Sequence, residues 1–260
     1  MEIGICAGID QAAYAAKAGY DYIELPLCGL AALSDKEYIE NRKTLERAGL
    51  PCRAFNLLLP GGMKILGGES DRGELEKYAE SAFKRAADLG GTVVVFGSGG
   101  ARRIPDGMSR DEAWKQMQEV SRLFGAAAEK YGLKIVLEPL NRGETDLLNT
   151  VSEGMDMVRE IGDKSVRLLA DYYHMQIEEE SVDVLIHAAP CLEHCHIACG
   201  ADRRFPSGRD EEVCRKFLGA LRAAGYAGRL SVEGVTSRFE EDAAESLIVL
   251  KKWKESEGLM

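Results

Sequence analysis

Short apolar runs alternate with longer amphipathic stretches along the whole chain. The runs 2–7, 22–25, 52–58, 92–97, 134–138, 166–171, 193–198 and 230–233 carry few charges and read as strands buried on both faces. Between them, 10–18, 35–48, 73–89, 110–131, 151–161, 182–188 and 210–224 repeat apolar residues at helical spacing, and 241–255 follows the last strand. Ser34 and Asp71 are good N-caps, and Gly19, Gly49, Gly90, Gly132 and Gly225 stand where helices should stop. Eight strand-then-helix units predict an α/β fold, a single (β/α)8 barrel occupying residues 1–260. An open doubly wound sheet is the competing arrangement, but no GxGxxG or GxxxxGKS/T stretch supports a nucleotide site there.

The longest connections, 58–70, 98–108 and 199–209, all follow strands. In a barrel they crowd the C-terminal rim, where ligands bind. What stands at the strand exits is therefore informative. The run Ile135-Val136-Leu137 ends in Glu138, then Pro139 and a polar loop with Asn141, Arg142 and Glu144. Asp171 ends the sixth run, His194 and His196 fall in the seventh, and Glu233 ends the eighth. A carboxylate at the exit of a buried strand is costly unless something pairs with it.

Consecutive strands in a closed barrel lie about 5 Å apart, so Glu138, Asp171, His196 and Glu233 can converge on one point. Three carboxylates and one imidazole form a hard, oxygen-rich ligand set, better suited to Mn²⁺, Mg²⁺ or Co²⁺ than to structural zinc. Four protein ligands leave two positions of an octahedral ion for a bidentate substrate. His194 lies on the same strand face as His196, one layer lower, and is expected to support it. His174, just beyond Asp171, reads equally as a loop histidine or as a donor to a substrate oxygen. Glu24 also ends an apolar run and is a weaker candidate for lining the pocket. The glycines and arginines of SGGARR could cradle a phosphate, but a loop entering a helix explains them better.

Bulk properties narrow the partners. A net charge of −10 and a pI near 5.1 argue against a nucleic-acid backbone as the main ligand. No apolar run approaches the roughly 20 residues of a membrane span. The N-terminal MEIGICAGID carries no signal-peptide pattern. Seven scattered cysteines, several inside apolar runs, suit a reduced cytoplasmic protein. A small molecule is the expected partner, and a homo-oligomer is compatible with the sequence.

The segments LEPLNRGETDLLNT, LADYYHM, HCHIA followed by DRRFPSG, and SVEG together resemble the sugar phosphate isomerase/epimerase family of xylose-isomerase-like TIM barrels. Tagatose/psicose 3-epimerases and hydroxypyruvate isomerases are its best-known members. VVFGSGGARRIP and GYDYIEL are similar as well, so the resemblance spans most of the chain. It implies one divalent ion, Mn²⁺ first and Mg²⁺ or Co²⁺ as alternatives, held by Glu138, Asp171, His196 and Glu233. It also implies substrate contacts from Glu144, His174 and Arg203. The chain departs from the epimerase pattern at CGADRR, where an apparent extra residue leaves Arg204 as an alternative to Arg203. The implied reaction is isomerisation or epimerisation of a ketose or related hydroxy-carbonyl sugar through an enediolate, with Glu138 and Glu233 as general base and acid. The competing readings are an inosose-dehydratase-like lyase, an AP-endonuclease-like nuclease and a non-catalytic sugar-binding barrel. The nuclease branch uses a histidine-rich zinc site, which a chain with four histidines suits poorly.

Overall fold

Eight parallel strands pair in chain order and close on themselves: β1 (Glu2–Cys6), β2 (Tyr22–Pro26), β3 (Cys52–Asn56), β4 (Val93–Phe96), β5 (Lys134–Leu137), β6 (Val166–Asp171), β7 (Leu192–Ile197) and β8 (Arg229–Val232). The ring is sealed where β1 pairs with β8, Gly4 opposite Ser231. The computed structural model describes residues 1–259. Eight predicted strands and the (β/α)8 barrel are found, with ends differing by a few residues. Glu138 and Glu233 lie one residue past the strands assigned to them. Each stays tied to its neighbour by a backbone bond, Glu138 N–H to Phe96 O (3.3 Å) and Glu233 N–H to Ile197 O (3.1 Å).

Outside the ring run α1 (Ala12–Ala18), α2 (Leu27–Ala32), α3 (Asp35–Ala48), α4 (Arg72–Asp88), α5 (Arg110–Glu129), α6 (Val151–Ile161), α7 (Tyr172–Ile177), α8 (Val184–Ala188), α9 (Glu211–Ala223) and α10 (Phe239–Ser256). Ser34 and Asp71 cap α3 and α4 by accepting from Glu37 N–H and Glu74 N–H. The short α2 and α7 are not among the predicted helices; each is too brief for a helical period to stand out from a loop. Among the described residues no helix is long and apolar enough to cross a membrane. All seven cysteines are free.

Alternation along the strands sorts the barrel into an inside and an outside. Ile3, Ile5, Val94, Phe96, Ile135, Leu137, Leu168, Ile197 and Val232 belong to the main core that packs against the helices. A separate buried cluster, Tyr22, Ala54, Val93, Val95, Val136 and Leu169, fills the barrel interior. Gly4 must lack a side chain there, because a Cβ would lie 2.2 Å from the Tyr22 ring. Counting on in steps of two from these inward residues reaches Asn56, Gly97, Glu138 and Asp171 at the strand exits. The same count from His194 and Ser231 reaches His196 and Glu233. One face of the pleat thus supplies both the internal core and the site above it.

Candidate metal centre

Glu138, Asp171, His196 and Glu233 each offer one ligand atom, and these atoms lie within 4.8 Å of one another. His196 Nδ1 is 3.3 Å from Glu138 Oε1 and 3.1 Å from Glu233 Oε2. Those separations fall in ion-pair range, yet neither His196 Nδ1 nor Glu138 Oε1 has a hydrogen-bonding partner. Two buried polar atoms without a partner, one on a carboxylate and one on an imidazole that can shed its proton, are what a cation would satisfy. Gly97 makes room for this arrangement, since a Cβ there would meet Glu138 Oε2 at 2.2 Å.

The other ligands are held from outside. Asp171 uses Oδ1 to cap α7, accepting from Tyr173 N–H at 2.9 Å, which turns Oδ2 toward the cluster. Glu233 Oε1 accepts from Asn56 Nδ2 at 2.8 Å, and Oε2 accepts from Arg203 Nη2. Arg203 Nη2 also donates to Asp171 Oδ2 at 3.1 Å, with its guanidinium 4.8 Å above the Tyr173 ring. Arg204 turns away, to Asp202, Asp210 and the Cys199 carbonyl. The choice follows from the backbone. Cys199 and Arg204 exchange N–H to O bonds of 2.8 and 3.0 Å, which closes a tight loop and leaves Arg203 pointing inward.

Charge crowding is visible in the titration of the cluster. Burial, opposed by Arg203 and reinforced by Glu138 and Glu233, pushes the Asp171 carboxyl up to about 7. Burial also works against the Glu233 charge, but His196 and Arg203 bring that carboxyl down to about 2. Burial disfavours a charged His196, yet Glu24 and Glu233 outweigh it and raise the imidazole well above its ordinary value. Three carboxyl groups so close to one imidazole call for more positive charge than the ring alone can bring. The donor set fits a divalent cation that prefers oxygen and nitrogen ligands.

His174 lies on α7, not in a loop, and is buried. Its Nδ1 accepts from Asn141 N–H at 3.1 Å, so the proton of the neutral ring sits on Nε2, which has no partner and lies 3.5 Å from Asp171 Oδ2. Burial, reinforced by Arg203, lowers this imidazole to about 3, so the ring is neutral at ordinary pH. Glu144 Oε1 accepts from Asn141 Nδ2 at 3.2 Å and lies 3.8 Å from Arg203 Nη1. Arg142, its neighbour in sequence, points outward to Glu178. Arg102 is fully buried and donates to the Glu138 carbonyl at 2.6 Å, while Arg103 donates to the Gly143 carbonyl. These arginines brace loops and do not form a phosphate cradle.

One residue stands differently from its sequence reading, and a second is not singled out by it. Glu24 does not line the pocket: β2 runs on to Pro26, which leaves Glu24 a layer below the rim, fully buried against His194 and His196. Asn56 escapes a sequence reading, because it falls inside the run 52–58 and only the end of β3 at Asn56 puts it on the rim. Its inward parity, two residues after Ala54, is the available signal.

A sequence profile of the xylose isomerase-like TIM barrel family matches residues 12–253. The D-psicose 3-epimerase of Agrobacterium fabrum is 29% identical over 225 residues, covering 84% of this chain and 76% of the relative. The L-ribulose 3-epimerase of Mesorhizobium japonicum is 29% identical over 232 residues, covering 87% and 75%. Among solved structures, the 3-keto-D-glucoside 4-epimerase of E. coli superposes with a TM-score of 0.79 at 25% identity, covering 97% of this chain and 99% of that one. The D-psicose 3-epimerase of Clostridium cellulolyticum H10 gives 0.83 at 22% identity over 98% and 99%, a likeness of fold. With a closed eight-stranded barrel and a profile match across nearly its whole length, this chain belongs to the xylose isomerase-like TIM barrel family.

Proposed function

We propose that the chain is a divalent-metal-dependent isomerase of the epimerase type, acting on a ketose or a related hydroxy-carbonyl sugar. The observation that carries this reading is the convergence of Glu138, Asp171, His196 and Glu233, with His196 Nδ1 and Glu138 Oε1 left unpartnered. The relatives are named as epimerases of ketoses and keto-glycosides, which favours this class over a dehydratase. Mn²⁺ is the ion we propose, with Mg²⁺ and Co²⁺ as alternatives.

A divalent ion in this cluster would supply Lewis acidity, lowering the cost of negative charge on oxygens beside the reacting carbon. The protein's own part is to position substrate and move a proton. His174 Nε2–H and the Arg203 guanidinium are donors for substrate oxygens, and the Glu144 carboxylate is an acceptor for a hydroxyl. Glu233, ionised at neutral pH, takes the proton from the carbon beside the carbonyl, giving an enediolate. Glu138, entering the step with a proton taken from solvent, gives it to the other face, which inverts that carbon; solvent then resets both carboxyls, and in the reverse direction the two exchange the roles of base and acid. If one carboxylate instead carried the proton between adjacent carbons, an aldose–ketose isomer would form.

The test is a panel of ketoses, keto-glycosides and hydroxypyruvate with Mn²⁺-loaded protein, followed by NMR in D₂O. A substrate should give an epimer or isomer with deuterium at the carbon beside the carbonyl. Loss of water from the substrate, or no exchange with any member of the panel, would count against the reading.

A further inference from the structure

Beneath the proposed ion lies a set of buried polar residues that the reaction does not use: Tyr22, Glu24, His194 and Ser231, all fully buried. We infer that Glu24 is a positioning residue for the metal centre, holding the His196 ring so that Nδ1 turns a lone pair to the ion. The inference rests on the metal-centre reading above.

Donor counting gives the argument. Glu24 Oε1 lies 3.0 Å from His196 Nε2. Glu24 Oε2 lies 2.8 Å from His194 Nε2 and accepts from the Ser231 hydroxyl at 2.6 Å. Tyr22 Oη is 2.7 Å from Ser231 Oγ, and donating there completes the set. An ionised carboxylate has no proton to give, so both imidazoles must donate through Nε2. In the neutral ring that a metal ligand must be, His196 Nδ1 is then left with the lone pair, and it is the atom that faces Glu138 and Glu233 across 3.3 and 3.1 Å. A carboxylate behind a metal-bound imidazole fixes its tautomer and orientation and strengthens it as a ligand. Glutamine could not do the same. Its single oxygen can serve His196 or the His194–Ser231 pair, but not both. An amide N–H facing His196 Nε2 would drive the ring proton to Nδ1, into the ion's place.

The experiment compares wild type, Glu24→Gln and Tyr22→Phe, each as the whole chain. Mn²⁺ affinity is measured by calorimetry, and the His196 tautomer by ¹⁵N imidazole NMR with diamagnetic Mg²⁺. The wild type should carry its His196 proton on Nε2 when loaded. Glu24→Gln should lose about 10–100-fold in Mn²⁺ affinity. Tyr22→Phe, which removes a hydroxyl from the same layer but leaves both histidine bonds to Glu24, should keep wild-type affinity. The inference is overturned if Glu24→Gln binds Mn²⁺ as the wild type does, or if Tyr22→Phe loses as much. Should Glu24→Gln fail to fold, the wild-type spectrum still decides, since a loaded His196 with its proton on Nδ1 contradicts the argument. A wild type that takes up no divalent ion would remove the metal-centre reading and this inference with it; uptake with an unaffected Glu24→Gln would remove the inference alone.

Discussion

Replacing Glu138 or Glu233 by glutamine separates proton transfer from the rest of the site. Both substitutions keep shape. Glu233→Gln can be accommodated because Asn56 Oδ1 has no partner at present, so the Asn56 amide can turn over and accept from the new NH₂ while the glutamine oxygen stays with Arg203. At Glu138 the unpartnered Oε1 leaves either amide orientation open. What is lost is the charge and the basicity. A positioned acid or base contributes about 10²–10⁴-fold, which is about 2.7–5.4 kcal/mol of barrier. The missing charge also weakens ion binding. Two unit charges about 4 Å apart at an effective dielectric of about 20 interact by about 4 kcal/mol, and a divalent ion doubles that, so the loss in affinity should be at least about a thousandfold. Turnover must therefore be measured with Mn²⁺ raised until calorimetry or elemental analysis gives full occupancy. Under those conditions each variant should fall by at least about a hundredfold. Solvent deuterium should no longer enter the substrate where the missing glutamate was the abstracting base. If both loaded variants turn over near the wild-type rate, the two-carboxylate mechanism is wrong.

Three further outcomes follow from the same geometry. Exhaustive chelation with EDTA should abolish activity and Mn²⁺ should restore it; full activity in protein free of metal by elemental analysis would refute the metal centre. Because Asp171 is pushed up to about 7, protons compete with the ion below that pH. Mn²⁺ affinity should therefore rise with pH through about 7, and further as the raised His196 imidazole gives up its proton, with protons released on binding, as calorimetry in buffers of different ionisation enthalpy would detect. Gly97→Ala would place a methyl against Glu138 Oε2, the far end of a flexible side chain. It should shift Tm little while lowering turnover about tenfold or more, in line with the sensitivity of catalysis to small misplacements; an unchanged rate would mean that the Glu138 carboxylate need not sit over Gly97.

The barrel and its four clustered residues were legible because both follow from alternation. A strand buried on both faces reads as a continuous apolar run, and a polar residue at its end stands out at once. Glu138, Asp171, His196 and Glu233 carried that signal. Depth was harder to read. Glu24 stands inside its strand because Leu25 and Pro26 carry β2 on past it, and a charged residue in so short a run is easily taken for its end. The resemblance favoured Arg203 but left Arg204 as an alternative, since only the backbone pairing of Cys199 with Arg204 decides which one points inward. Asn56 and the unpartnered Nε2 of His174 depend on what lies opposite them across the barrel, which local sequence does not encode.

The inner face of the barrel is divided by strand. On β3 to β6 the inward residues below the rim are Ala54, Val93, Val95, Val136 and Leu169, a dry apolar plug joined by the Tyr22 ring. On β2, β7 and β8 they are Glu24, His194 and Ser231, bonded into a layer directly under His196. A buried carboxylate such as Glu24 is tolerable only with its donors in place, so this half of the barrel interior cannot be exchanged for apolar residues piecemeal. The apolar half works differently. By excluding water beneath Glu138 and Asp171, it keeps the local dielectric low and makes each charge there count for more. Glu138, Asp171, Glu144 and Glu233 crowd the inward guanidinium of Arg203, with Glu24 below them bonded to both histidines and Arg102 turned to a carbonyl. A protonated imidazole can relieve part of that excess, but only by giving up the lone pair that His196 presents to the cluster. A divalent cation relieves it and uses the lone pair at once, which is why the buried layer under His196 and the acidic cluster above it are best understood as one device.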